Sequence, residues 1–339
     1  MTPSEDPLAL GARLAKAAGL APALRVEPLP GGRNNRVFRV ALSDGQNAAL
    51  KIYFRHPDDT RDRLGAEWEF LEHARRCAPG STPQPLARDR ASGAALHGYI
   101  EGTRFSPEQI DATAVASAAE FIKKVGSPGA AQGLRIASEA CFSIREHVDA
   151  VDRRVRRLEA IDLQALETRD AAAFVSRSLR PAWERVRDEV SKKCRAFGLD
   201  PEAKIQDAEI IASPSDFGFH NALQTADGCV FLDFEYAGRD DPAKLVCDFF
   251  CQPELPVAVA HRELFLTNVL DELDLARHRD RVSALLDCYR IKWIAIILND
   301  FLPVGGERRA FAKPEHQEKR RLRQLTLARA RLDALALDH

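Results

Sequence analysis

Three oxygen-bearing side chains stand at fixed intervals in residues 213–238: Asp216, Asn221 five positions on, and Asp233 twelve further. Between the last two lies a hairpin signal. Apolar Ala222-Leu223 and polar Gln224-Thr225 precede an Asp227-Gly228 turn, and apolar residues 229–232 follow it. Asp216 and Asn221 therefore enter one strand, and Asp233 leaves its partner. Closing the hairpin gathers two carboxylates and one amide. Such a set suits a hard cation with oxygen ligands, the kind of ion that phosphoryl transfer uses. Each residue alone would more often be a turn former or a helix cap. The common spacing is what sets them apart.

If that chemistry is right, the chain upstream must hold a phosphate cradle, a cation and a carboxylate to hold the cation. Gly31-Gly32 lets backbone N–H groups approach a phosphate with no side chain in the way, and Asn35 closes the turn. Lys51 lies in an apolar strand, Ala48-Ala49-Leu50-Lys51-Ile52, where a bare ammonium is costly unless paired. Residues 62–75 carry Leu64, Trp68, Leu71 and Ala74 at helical spacing. Glu67 sits beside that face and is the expected partner of Lys51. Glu69 is the competing choice, on a face read as solvated.

The run Asp216, Asn221 and Asp233-Phe234-Glu235 resembles the core of the aminoglycoside phosphotransferase and choline kinase-like family, small-molecule relatives of protein kinases. The Gly31, Gly32 and Asn35 turn is similar to that family's Gly-Gly-x-x-Asn turn. The resemblance implies an α+β, two-lobed, protein-kinase-like fold. A small antiparallel-sheet lobe over 20–103 would bind nucleotide. A linker at about 99–106 would lead to a larger, mainly helical lobe over 107–339, which carries the catalytic hairpin and the acceptor pocket. It also implies the cofactors ATP (or GTP) and Mg. Asp216 would accept the proton of a small-molecule hydroxyl. Asn221 and Asp233 would hold magnesium, and Lys51, held by Glu67, would touch the nucleotide phosphates. Two departures stand out. The family places His two residues before the catalytic Asp, where this chain has Pro214. After Asp241-Pro242, the next Asp is Asp248, about one helical turn late. It is read either as a structural anchor or as a surface carboxylate. Pro214 is the best support for the alternative of an inactive nucleotide-binding module. A protein kinase is disfavoured, because no Ala-Pro-Glu motif or long activation segment follows Asp233.

The chain has 339 residues and a net charge of −1, so nothing in its overall charge points to nucleic acid. Residues 201–260 hold eleven Asp and Glu against three Lys and Arg, which mildly favours a cationic hydroxyl acceptor. Seven cysteines without a Cys-x-x-Cys pair suggest reduced thiols. The start lacks a basic, apolar leader, so a cytoplasmic setting is expected. The longest pure apolar run, 293–298, is far too short for a membrane span. Helices are expected over 113–125, 136–161, 171–197 and 282–300, with a basic C-terminal helix inside 307–331. The arginine run at 153–157 reads as a solvated face. Trp293 reads as core-edge packing, and His220 has no assigned role.

Overall fold

The computed structural model describes residues 5–30, 34–57, 59–303, 311 and 317–337. The small lobe contains α1 (Pro7–Ala17), β1 (Ala23–Pro28), β2 (Arg36–Leu42), β3 (Asn47–Ile52), α2 (Arg63–Cys77), β4 (Pro85–Asp89) and β5 (Ala94–Gly98). The connection carries β6 (Thr103–Arg104). The large lobe contains α3 (Ala112–Gly126), α4 (Ile144–Arg157), α5 (Leu166–Phe174), α6 (Arg180–Phe197), β7 (Ile211–Ser213), β8 (Ala222–Thr225), β9 (Gly228–Phe231) and β10 (Gly238–Asp240). It ends with α7 (Pro242–Cys251), α8 (Arg262–Leu266), α9 (Arg279–Ile297) and α10 (Gln317–Leu337). This is the expected α+β, two-lobed architecture.

The five-stranded sheet of the small lobe is antiparallel, in the order β1-β2-β3-β5-β4. Alternation sorts its faces. Phe38, Val40, Ala48, Leu50 and Leu96 pack on Leu10, Leu14 and Ala15 of α1. Fully burying each leucine contributes ~1.5–3 kcal/mol. The opposite face carries Lys51, Ala95 and His97, and α2 covers it. Sequence reading missed α1, although Asp6 followed by Pro7 is a start signal; the Asp6 carboxylate accepts from Ala9 N at 3.3 Å.

A second sheet, β6-β8-β9, ties the inter-lobe connection to the β8-β9 hairpin: Thr103 pairs with Gln224 and Arg104 with Leu223. Gly102 permits this approach, since a Cβ there would lie 2.7 Å from the Gln224 carbonyl oxygen. The hairpin itself pairs Ala222 with Phe231 and Thr225 with Gly228, and it turns at the expected Asp227-Gly228.

Two helix expectations need correction. The segment 136–161 is not one helix; the α-helix runs Ile144–Arg157. Ser143 caps it, accepting from Glu146 N at 3.2 Å. Upstream, Ala137 N and Ser138 N donate instead to the carbonyls of Arg239 (3.1 Å) and Tyr236 (3.0 Å). The segment 171–197 is α5 and α6 joined by a π-helical turn, Val175–Leu179. In the arginine run, Arg154 is the exception to a solvated face: its side chain is 14% exposed and meets Glu139. The seven cysteines are unpaired thiols. Among the described residues, no helix is long and apolar enough to cross a membrane.

Candidate active site

An aromatic core sets the Asp216 loop in place. Phe217 and Phe219 bracket the loop after Asp216, and Phe234 separates Asp233 from Glu235; all three are buried. Phe217 packs on Phe231 at 4.9 Å between ring centroids, and Phe234 on Phe70 of α2 at 4.7 Å. Burying alternate residues turns the polar neighbours toward the cleft. Ser215 and Asp233 hold left-handed backbone angles, φ 66° and 65°, which cost free energy in residues with a Cβ and collect at functional sites.

The Pro214 departure has a structural answer. Ser213 Oγ accepts from Ser215 N at 3.1 Å, and Ser215 Oγ donates to the Tyr236 carbonyl at 3.0 Å. The loop that lacks a histidine at 214 is thus pinned by two serine hydroxyls. Asn221 donates to the Asp216 carbonyl at 3.0 Å, and its own carbonyl accepts from Leu232 N at 2.8 Å. The hairpin therefore sets Asn221 beside the residue that precedes Asp233.

Lys51 joins three elements. Its Nζ lies 2.5 Å from Glu67 Oε2 on α2 and 2.6 Å from Asp233 Oδ1. Tyr53 OH donates to the same Glu67 oxygen at 2.9 Å. Burial alone would lower the Lys51 pKa; the charges of Asp233 and Glu67 outweigh it and hold the ammonium well above its ordinary value. Burial pushes the Asp233 carboxyl up, to about 7, with Glu235 and Glu67 adding to the rise and Lys51 opposing it. Its side chain still keeps 32% of its surface exposed. Glu69, the competitor for Lys51, pairs with Arg135 at 2.6 Å instead.

Glu235 is the residue whose role the sequence did not reveal. It is fully buried and accepts from Asn35 Nδ2 at 2.7 Å and Asn34 Nδ2 at 2.8 Å, with Arg63 Nη1 at 2.9 Å. Burial raises its pKa, but the charges of Arg63 and Lys51 and the two amides hold it below the ordinary value. Asn35 Oδ1 in turn accepts from Phe54 N at 3.1 Å. Asn35, expected at the nucleotide phosphates, has its amide engaged at both ends, latching the small lobe to the Asp233-Phe234-Glu235 loop. The only earlier signal was Glu235's place in that motif. Gly31 and Gly32 lie outside the described residues.

Much of the acid in 201–260 is already paired. Eight of its eleven carboxylates pair with Lys or Arg: Glu202–Arg145, Asp207–Arg239, Glu209–Arg277, Asp233–Lys51, Glu235–Arg63, Asp240–Lys244, Asp241–Arg281 and Asp248–Lys292. The composition argument for a cationic acceptor loses most of its footing. Asp248 is a structural anchor, bound to Lys292 Nζ at 2.7 Å and to Trp293 Nε1 at 2.9 Å. Trp293 accordingly sits at the core edge with its N–H satisfied.

Asn221 and Asp233 would be the oxygen donors for a divalent ion at this site. Among the described residues, no group of three or more His, Cys, Asp or Glu could hold a metal by itself. One amide and one carboxylate fit magnesium, which keeps several waters and takes further oxygens from substrate phosphates.

A sheet lobe and a helical lobe meeting at a lysine–glutamate pair, an aspartate loop and a hairpin define a protein-kinase-like enzyme. A family model, the phosphotransferase enzyme family, matches residues 25–250, and the chain belongs to that family. Among curated proteins, none matches the chain. Solved structures share the fold at low identity. A choline kinase from Streptococcus pneumoniae is 16% identical, with 95% of this chain and 98% of that one covered at a TM-score of 0.59. A spectinomycin phosphotransferase in complex with ADP and its antibiotic is 11% identical, over 96% and 94%, at 0.64. A choline/ethanolamine kinase family protein from Mesorhizobium loti is 21% identical, over 98% and 96%, at 0.54.

Proposed function

We propose that this chain transfers the γ-phosphoryl group of ATP, or of GTP, to a hydroxyl of a small molecule. The reading is carried by Lys51, which bridges Glu67 and Asp233 and so aligns strand, helix and hairpin at one point of the cleft. Lys51 contacts the nucleotide phosphates, and Glu67 holds it there. Asp216, whose side chain is 30% exposed, orients the acceptor hydroxyl and takes its proton. Asn221 and Asp233 hold magnesium, which supplies charge neutralisation on the transferred group. Little covalent chemistry falls to the protein; positioning and electrostatics do the rest. Sugars, amino-sugars, amino alcohols and aminoglycoside-like compounds all fit the chemistry.

The test is magnesium-dependent ADP release across a panel of small hydroxyl compounds. Wild type is expected to turn over at least one, and Asp216→Asn to lose about 10²–10⁴-fold in kcat, the usual worth of a general base. Nucleotide-induced thermal stabilisation with no turnover on any acceptor would instead support the nucleotide-binding module without catalysis.

A further inference from the structure

His220 belongs to the same site and has no part in the metal or phosphate contacts above. Its side chain is 8% exposed, and Nε2 lies 3.1 Å from Asp216 Oδ1. An ionised carboxylate only accepts, so Nε2 carries the proton and donates. The ring has a place made for it. Gly218 lies between the two residues, and a Cβ on it would stand 2.9 Å from His220 Nδ1 and 3.1 Å from Cε1. The imidazole fills the space that a side chain at 218 would claim. Phe219, buried and packed on Phe105 at 5.0 Å and on Phe249 at 5.9 Å, fixes the one-turn 3₁₀ helix Phe219–Asn221 that carries the histidine. Upstream, where the sequence pattern would put a histidine, stands Pro214.

Building on the phosphotransfer reading, we propose that His220 is a positioning residue: it holds Oδ1 of Asp216 and so sets the carboxylate that meets the acceptor hydroxyl. The histidine that steadies the catalytic loop thus comes from four residues after the aspartate. Without it, the carboxylate loses one of its restraints, and the fraction of time spent in the productive rotamer falls. Nucleotide binding, which runs through Lys51, is not affected.

Two routes displace the ring. His220→Ala deletes it; Gly218→Ala keeps it and occupies its space. His220→Gln restores an N–H donor at nearly the reach of Nε2. Turnover is read as ADP release from magnesium-ATP, with water and then choline, glucose and glucosamine as acceptors. Both alanine variants are expected to lower kcat at least about tenfold, with KM for ATP within about twofold of wild type, and the glutamine variant to recover most of the loss. A kcat in Gly218→Ala and His220→Ala equal to wild type overturns the positioning role alone. So does a loss confined to KM for ATP, or a glutamine variant no better than alanine. Absence of turnover by wild type on every acceptor overturns the phosphotransfer reading, and the positioning role with it.

Discussion

His97 makes a prediction whose size follows from its surroundings. It stands on β5, 5% exposed, on the sheet face shared with Lys51 and covered by Trp68 at 6.5 Å between ring centroids. Neither ring nitrogen has a hydrogen-bond partner. Burial, with Lys51 adding to it and Glu67 opposing, pushes its pKa down to about 4. The unfolded chain offers an ordinary imidazole, near 6.5. Between those values the unfolded state binds the proton and the folded state does not. Stability from this group is therefore complete above about pH 6.5 and is lost as pH falls toward 4. At pH 5 the linkage amounts to about 2 kcal/mol relative to pH 7. Urea unfolding of wild type and His97→Leu at both pH values measures it. His73 and His278, also pushed down by burial, contribute with the same sign in both proteins and cancel in the comparison. Wild type should lose about 2 kcal/mol more than His97→Leu between pH 7 and pH 5. Equal losses in the two proteins would refute the reasoning, whatever the variant does to stability at pH 7.

Two further substitutions test contacts described above. Asp248→Ala leaves the Lys292 ammonium buried without its carboxylate, and unfolding in urea should show a loss of about 3–5 kcal/mol; a value under 1 kcal/mol would place Lys292 in solvent instead. Asn35→Ala removes one donor from the buried Glu235 and the acceptor of Phe54 N. It should cost about 1–3 kcal/mol in the same assay and lower kcat/KM for ATP by loosening the two lobes; unchanged kinetics would mean that the latch has no bearing on the nucleotide.

What could be read from the chain was what is local. The hairpin between Asn221 and Asp233 spans few residues and carries its own turn chemistry, so its closure followed from Asp227-Gly228 alone. The pairing of Lys51 with Glu67 followed from one strand and the next helix. What stayed hidden depends on contacts far apart in the chain. Asn34 and Asn35 meet Glu235 some 200 residues away, and nothing near either asparagine signals it. Arg63, the first residue of α2, is buried against Asp59 and Glu235, and neither partner was signalled by the local sequence. Ala137, Ser138 and Cys141 give their N–H groups to Arg239, Tyr236 and Asp240 rather than to a helix, and helix 136–161 shrinks accordingly. Arg154 left the solvated face of α4 for Glu139 on that same stretch. The acidic 201–260 region shows the limit of counting charges: without partners in view, structural ion pairs and an open anionic surface have the same composition.

The pairing of β6 with β8 has a mechanical consequence. Because Thr103 and Arg104 are stitched to the strand that follows Asn221, any swing of one lobe against the other must pivot N-terminal to Gly102. The stretch that leads out of β5 is then split: its first residues travel with the sheet, and its last stay with Asp216. Parting the two lobes along the cleft must separate Lys51 from Asp233 and Asn35 from Glu235 together.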